Sequence, residues 1–212
     1  MLELLAVMGV IAVLTGILVP TLAAARASAL KSRTKVQFSQ WAAAMEQFKQ
    51  EYGCYPAVGT GGRLATAADT LKFVRTLGGA NPDGSAVAEL ADLNGNLKRR
   101  CFCSFAAADF FDPDRPGDAA DYSGNELVCD AFGNTEIAVL VDQNGDGFIR
   151  VADDGPAVAV GGAPGRSLVP GDAELPAAGV RSGVIFYSAG RGVKSAAASP
   201  RSRPVFWPPD CR

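Results

Sequence analysis

The feature that most constrains this chain is an uncharged, apolar run close to its N-terminus. Residues 4–25 contain no charged side chain and separate Glu3 from Arg26. As an α-helix rising 1.5 Å per residue, the run is about 33 Å long, close to the thickness of the hydrocarbon core of a bilayer. The run therefore predicts a helix that can cross a membrane or pack against other apolar helices.

The basic residues near this run all follow it: Arg26, Lys31, Arg33 and Lys35. The positive-inside rule applied to this order places the rest of the chain in the cytoplasm, whereas the cysteines and the aspartate-rich loop described below favour the outside. A short basic leader, removed after it has set the topology, reconciles the two, so we expect a processed, mature chain. A cleavable secretory signal fits poorly because no Lys or Arg precedes the run.

Two residues of the predicted helix stand out. A carboxylate near the end of an apolar helix is costly and usually has a partner, and for Glu3 a free amino terminus on a neighbouring copy is one candidate. Simple hydration of Glu3 at the level of the lipid headgroups is the alternative. Pro20 removes a backbone hydrogen bond, so the helix is expected to kink or loosen from about Thr15 and Gly16 onward.

Beyond the apolar run, large apolar residues recur at steps of 3, 4, 3 and 4: Phe38, Trp41, Met45, Phe48 and Tyr52. This spacing predicts that the helix continues and packs its apolar face in a core. The opposite face is expected to meet solvent or neighbouring subunits, and it carries Ser39, Glu46, Gln47 and Gln50. Because Gly53 and Pro56 end the helix, we divide the chain into an N-terminal helix, residues 1–52, and a globular head, residues 53–212.

Composition narrows the functional classes. The chain has no histidine, which removes the commonest general base and the commonest nitrogen ligand for metals, so we do not expect an enzyme. The net charge of −2 offers no general basic field for nucleic acid. Five cysteines without a CxxC pair favour disulfides in an oxidising compartment with one thiol left over: Cys54, Cys101, Cys103, Cys129 and Cys211. Their connectivity stays open, as does the alternative of five reduced cysteines in a cytosolic protein.

The head has weaker signals. Helical spacing predicts a helix over residues 64–77 and a shorter one over 87–93. An Asp-, Pro- and Gly-rich stretch over residues 101–130 indicates a long irregular connection. Apolar and β-branched segments predict strands over 136–141 and 182–187, and residues 148–151 are expected to form the return arm of a hairpin.

The sharpest chemical motif is Asp142-Gln143-Asn144-Gly145-Asp146-Gly147-Phe148-Ile149. It places side-chain oxygens at loop positions 1, 3 and 5 and a backbone carbonyl at position 7, and these are hard donors that suit calcium. The predicted ligands are Asp142, Asn144, Asp146, Phe148 and, at position 12, Asp153. A plain hairpin turn is the alternative, because Asn-Gly and Asp-Gly form turns by themselves. A second acidic group is expected to be a solvated loop: Asp112, Asp114 and Asp118.

The N-terminal features together resemble a known family. The run Leu2-Glu3-Leu4-Leu5-Ala6-Val7, the proline at Pro20, the stretch Ala23-Ala24-Ala25 and the amphipathic continuation are similar to the N-terminal helix of type IV pilins and of the pseudopilins of type II secretion. In that family the helix starts with Phe-Thr and the glutamate is fifth, whereas here it is third. The resemblance implies that two residues of the mature terminus precede Met1, or that processing differs.

Three further pieces are similar to major pseudopilins of the G type: Tyr52-Gly53-Cys54-Tyr55-Pro56, Asp130-Ala131-Phe132-Gly133-Asn134 and Tyr187-Ser188-Ala189-Gly190. Ala131 and Phe132 replace the Pro and Trp of that branch. The resemblance implies a pilin-like α+β fold, with a long N-terminal helix packed on a small antiparallel sheet and a long irregular helix-to-sheet connection.

The same resemblance implies a structural subunit that polymerises through its N-terminal helix into a pilus-like filament. Its partners are then copies of itself, the inner-membrane assembly machinery and a prepilin peptidase. The subunit is expected in the inner membrane before assembly and in a cell-surface filament afterwards. Two alternatives stay open: a pseudopilin forming a periplasmic piston, and a single-pass membrane protein with a calcium-dependent binding head.

Overall fold

The computed structural model describes residues 2–59, 61–112, 124–161, 169–170, 174–190 and 205–207, with only the backbone described for 2–6, 17 and 205–207. In chain order the main elements are α1 (Leu2–Tyr52), β1 (Arg63–Leu64), α2 (Ala67–Gly78), β2 (Phe110–Phe111), β3 (Leu127–Val128), β4 (Ile137–Val141), β5 (Val184–Ser188) and β6 (Val205–Trp207). Two short 3₁₀ segments, Leu90–Leu93 and Ala107–Asp109, lie in the connections.

Helix α1 is continuous over both halves of the predicted N-terminal helix. It passes through Pro20, whose missing N–H leaves the Gly16 carbonyl without its usual donor, so the softening expected there stays a prediction. The helix ends where Gly53 adopts a left-handed φ of 80° and donates its N–H to Lys49 O at 2.7 Å. Glycine suits this termination because it has no Cβ to strain a positive φ.

The main sheet is antiparallel and has the strand order β1-β4-β5-β6. The central pair runs from Ile137 opposite Ser188 to Val141 opposite Val184. A second, two-stranded sheet pairs β2 with β3 inside the long connection. The predicted α+β combination of a long helix and a small antiparallel sheet is therefore confirmed.

The apolar stripe of α1 packs on one face of this sheet, as its spacing predicts. Phe38, Trp41, Met45 and Phe48 are at most 2% exposed. The Phe38 ring lies 5.7 Å from that of Phe186 on β5, and the Trp41 ring lies 5.5 Å from that of Phe73 on α2. The second half of α1 is thus part of the core of the head.

The other sheet face forms a second core, because successive side chains of a strand point to opposite faces. Ile185 and Tyr187 of β5 are fully buried there. Residues from the segment between β4 and β5 cover this face, among them Ile149, Val160, Leu175 and Val180. Both sheet faces are therefore occupied, and the central strands are buried on each side.

Several details differ from the sequence-based expectations. Leu64 belongs to β1, and α2 begins at Ala67, because the Thr66 side chain accepts the Asp69 N–H at 3.1 Å and caps the helix there. The helix expected over residues 87–93 is only the 3₁₀ segment Leu90–Leu93. On the α1 face expected to meet solvent or other subunits, Glu46 is half-buried and accepts a hydrogen bond of 2.7 Å from Tyr55 Oη.

The expected hairpin over residues 148–151 is wrong. β4 pairs with β1 and β5, and Ile149 instead makes an isolated antiparallel bridge to Val180. Hydrogen bonds from the Gln143 and Arg150 backbones to the Asp154 carboxylate curl residues 143–154 into a loop that leads away from β4. Of the second acidic group, Asp112 is buried, which corrects the expected solvated loop, and Asp114 and Asp118 lie outside the described residues.

Candidate functional site

The first candidate site is the exposed N-terminal half of α1. We call residues 7–22 of this helix the apolar rod. Its large apolar side chains with a described position are 49% to 66% exposed, whereas burial against the head begins at Thr34. By length and composition, α1 is a helix that is long and apolar enough to cross a membrane.

The polar side chains of the apolar rod are satisfied within the helix. Thr15 Oγ1 donates to Ile11 O and Thr21 Oγ1 donates to Leu18 O, each at 2.8 Å. Hydroxyl groups bonded in this way need no water, so the surface suits lipid tails or other apolar helices. The apolar rod therefore has the side chains of a buried surface, although it is exposed in the single chain.

Two polar side chains fix α1 to the head just beyond this exposed half. Thr34 Oγ1 donates to Leu30 O and accepts the Ala131 N–H at 3.2 Å. Gln37 Nε2 donates to Asp109 Oδ1 and to Cys129 O, both at 2.9 Å. These contacts attach α1 to the head close to the point where its exposed half begins.

The predicted assembly residues lie on this helix. Pro20 is within the apolar rod, and Glu3 lies in the first turn of α1, where only the backbone is described. The pairing of Glu3 with a neighbouring amino terminus therefore stays a prediction.

The second candidate site is the aspartate loop, residues 142–154, where hydrogen bonds curl the backbone around Asp142. This side chain is 4% exposed, and its two oxygens accept the N–H groups of Gly145 at 2.6 Å and Gly147 at 2.9 Å. Asn144 Oδ1 accepts the Asp146 N–H, and Asp146 Oδ1 accepts the Phe148 N–H. Oxygen side chains at alternate positions are thus held in short local turns.

Two residues that the sequence analysis missed complete this loop. Asp154 is 3% exposed and accepts the backbone N–H groups of Gln143 at 2.8 Å and Arg150 at 2.9 Å. The Arg150 guanidinium pairs with Asp146 and lies 3.8 Å from Asp153. The Phe148 N–H and then Arg150 lower the pKa of Asp146. Two signals for these residues were available in the sequence: Asp154 directly follows the predicted ligand Asp153, and Arg150 is a cation at loop position 9.

The predicted calcium ligands are only partly brought together. In the described part of the chain, no three acidic or cysteine side chains gather as a metal-binding group. Asp142, Asn144 and Asp146 have the oxygen chemistry that calcium prefers. Arg150, however, engages both Asp146 and Asp153, so the same carboxylates already have an internal cation.

The described cysteines occupy different surroundings. Cys54 and Cys101 are exposed free thiols, Cys103 is a half-buried free thiol, and Cys129 is buried. Burial, together with the nearby Asp109 carboxylate, raises the pKa of Cys103 to about 11. Cys211 lies outside the described residues, and the disulfide framework stays a prediction.

A buried carboxylate joins two of the three segments on which the G-type resemblance is based. Asp130 is 2% exposed; its Oδ1 accepts the N–H groups of Phe132 and Asn134, and its Oδ2 accepts from Asn134 Nδ2 and from Ser188 Oγ. Asn134 Nδ2 also donates to Gly190 O at 2.7 Å. Burial raises the pKa of Asp130, and these hydrogen bonds oppose that shift.

No family model matches this chain, and neither the curated proteins nor the solved structures contain a match to it. Its function is therefore inferred from its own residues and their geometry.

Proposed function

We propose that this chain is a structural subunit that polymerises through the apolar rod into a pilus-like filament. One observation carries the proposal: a single continuous helix, α1, is buried in the head over its second half and presents a bilayer-length apolar surface over its first half. Apolar surface of this size is unfavourable in water by about 25 cal/mol per Å². It therefore needs either lipid or other apolar helices around it.

Polymerisation exchanges one apolar environment for another. Lipid tails are as apolar as leucine side chains, so close packing between helices, and not the hydrophobic effect, has to favour the bundle. Gly9 and Gly16 leave open space on the rod surface, which permits close approach of a neighbouring helix. The contacts of Thr34 and Gln37 with the head then set how the heads are arranged around the bundle.

In this proposal Glu3 pairs with the amino terminus of a neighbouring subunit, and Pro20 marks a loosened helix segment. The subunit waits in the inner membrane and then joins a filament at the cell surface. By the resemblance described above, its partners are copies of itself, the inner-membrane assembly machinery and a prepilin peptidase. No residue is required to make or break a bond.

A pseudopilin of type II secretion is a second candidate, and the Asp130 hydrogen bonds favour it. They join the two segments similar to G-type pseudopilins, Asp130 to Asn134 and Tyr187 to Gly190. A pseudopilin makes a short periplasmic assembly instead of a long extracellular one. The length of filaments on the source cells, measured by electron microscopy, separates these two candidates.

We also propose that the aspartate loop binds calcium. Asp142, Asn144, Asp146 and the Phe148 carbonyl would hold the ion, with Asp153 joining them once Arg150 releases it. Bound calcium would supply charge that stiffens the loop and replaces the Arg150 pairs. The alternating oxygens and the buried position of Asp142 support this assignment.

The polymerisation proposal is tested with the full chain purified in detergent. After the detergent is removed, we expect filaments by electron microscopy and a rapidly sedimenting fraction. Glu3→Ala should reduce that fraction at least tenfold, whereas Glu89→Ala, which removes an exposed carboxylate of the head, should not change it. Equal sedimentation of all three proteins as monomers would contradict polymerisation and favour a single-pass anchor.

A further inference from the structure

We infer that the basic residues at the end of the apolar run bind the headgroups of anionic phospholipids in the leaflet that faces the head. We call these residues the basic collar: Arg26, Lys31, Arg33 and Lys35. The inference rests on the membrane-embedded stage of the proposed function. It adds the class of lipid that α1 recognises there.

All charged residues of α1 in and around the collar are positive. Four basic residues fall within ten positions, and the sequence has no acidic residue between Glu3 and Glu46. Arg26, Lys31 and Arg33 are exposed, and Lys35 is half-buried. Among the carboxylates that the structure describes, none forms an ion pair with Arg26 or Lys31. The collar therefore has positive charge available for a ligand outside the chain.

Among the described residues of the head, Asp109 is an acidic neighbour of the collar. Burial raises the pKa of Asp109, and the charge of Arg33 acts in the opposite direction. The positive charge of Arg33 is thus partly offset by Asp109, which also accepts a hydrogen bond from Gln37. Arg26 and Lys31 lie further from the head along α1 and carry the main interaction with lipid.

The position of the collar matches the depth of the headgroups. At 1.5 Å per residue, Lys31 is about 9 Å and Lys35 about 15 Å beyond the end of the apolar run at Ala25. Each headgroup layer is about 5–8 Å thick, so Arg26 lies within it and Lys31 at its outer edge. Long basic side chains also reach back towards phosphate while their methylene groups stay apolar. Lys35 stays within about a Debye length, about 8 Å, of that layer.

The collar presents positive charge on two nearly opposite sides of the helix, which favours lipid over a protein partner on one side. Arg26 and Arg33, seven residues apart, project within about 20° of each other, because each residue turns the helix by about 100°. Lys31 and Lys35 share a different side by the same geometry. Lipid headgroups meet a membrane helix on all sides, so they reach both of these basic faces.

The test reconstitutes the full chain into phosphatidylcholine vesicles that contain trace spin-labelled phosphatidylglycerol or phosphatidylcholine. Electron paramagnetic resonance then measures the motionally restricted fraction of each lipid at the protein surface. We expect roughly a fivefold preference for phosphatidylglycerol at low salt, as about 1 kcal/mol from one basic residue near the surface gives, and a weaker preference at high salt.

Two matched triple variants locate the effect. The collar variant carries Arg26→Gln, Lys31→Gln and Arg33→Gln, and the control carries Lys72→Gln, Arg99→Gln and Arg181→Gln at exposed positions of the head. The collar variant should lose the preference and the control should keep it. If both variants show restricted lipid with the same preference for phosphatidylglycerol, the collar proposal is overturned and the membrane stage is not. A complete absence of restricted lipid would overturn the membrane stage of the proposed function as well.

Discussion

The Ser188 hydroxyl donates a 2.6 Å hydrogen bond to Asp130 Oδ2, and both residues are buried. This contact ties the end of β5 to the turn that precedes β4. The same turn reaches α1, because the Ala131 N–H donates to Thr34 Oγ1. Each oxygen of the Asp130 carboxylate has two donors, and these bonds hold the turn against β5. The turn thereby links the sheet to the helix that leaves the head.

Asp130→Asn should destabilise the head by about 1–3 kcal/mol, because an amide NH₂ in place of Oδ2 leaves one N–H of the Asn134 amide without an acceptor. The unfolding midpoint in urea is the measurement. Asp83→Asn is the control, since Asp83 is exposed and accepts one N–H, from Ser85, that an asparagine oxygen can also accept. Equal stability of the two variants would mean that the Asp130 cluster does not order the fold.

Alkaline pH should weaken the head through Tyr187. Burial raises its pKa from 10 to about 12, and its hydroxyl contacts Val158 O at 2.8 Å and Val158 N at 2.9 Å. Because the folded-state pKa is the higher one, this contribution is complete below pH 10 and is lost as pH rises through about 12. Tyr187→Phe should remove up to about 2–3 kcal/mol from the fall in the free energy of unfolding over this pH range.

Urea unfolding at a series of pH values from 8 to 11.5 measures this effect. Burial also raises the pKa of Tyr55 and of Cys103, so the wild type keeps some alkaline sensitivity of the same sign from those groups. The slope of the variant should be shallower only above pH 10. Parallel curves for the two proteins would contradict the assignment to Tyr187.

The two faces of α1 should respond differently to truncation. Trp41→Ala removes a ring that is 1% exposed and packs on Phe73, so we expect a loss of about 3–5 kcal/mol in the free energy of unfolding. Val36→Ala alters a side chain that is 57% exposed and should change it by less than about 0.5 kcal/mol. Thermal unfolding of the full chain in detergent compares them. A large effect of Val36→Ala would show that this face is already covered in the monomer.

Calcium should raise the melting temperature of the full chain in detergent if the aspartate loop binds it. Arg150→Gln removes the competing cation from Asp146 and Asp153, so it should tighten calcium binding about tenfold while lowering stability without calcium. Titration calorimetry gives both affinities. Asp146→Asn should abolish the thermal shift, and a wild-type melting curve unchanged by calcium or by a chelator would remove the site.

Thiol reactivity should follow exposure. At pH 8 iodoacetamide should modify Cys54 and Cys101 at least tenfold faster than Cys103, because the raised pKa of Cys103 leaves little thiolate. Peptide mass spectrometry of the native chain measures the three rates. Repeating the labelling after denaturation, with and without reductant, counts any disulfides. Complete labelling without reductant would contradict the predicted framework.

The sequence predicted well where one periodic signal dominated. The steps of 3 and 4 from Phe38 to Tyr52 located the buried face of α1, because a core helix repeats its contacts along its length. The segment 136–141 predicted β4 for a related reason, since a buried central strand is continuously apolar.

The sequence-based predictions failed where particular side-chain contacts decide the local structure. The return arm expected after Gly147 depended on turn residues alone, whereas hydrogen bonds from Gln143 and Arg150 to Asp154 redirect the chain. The competition of Arg150 for two predicted calcium ligands was missed as well: the sequence shows a cation at position 9, but ligand spacing does not show that its side chain pairs with Asp146 and Asp153. The Asp130 cluster joins residues 58 positions apart, so local pattern had no means of finding it.

The continuity of α1 has a mechanical consequence. No loop separates the apolar rod from the stripe of Phe38 and Trp41 inside the head. A pull on the N-terminal half is therefore transmitted along one helix, which lacks a backbone hydrogen bond at Pro20, into the packed core, where the rings of Phe73 and Phe186 resist it. Tension would load the interface between α1 and the rest of the head in shear. The core would have to unfold before the head could separate from α1.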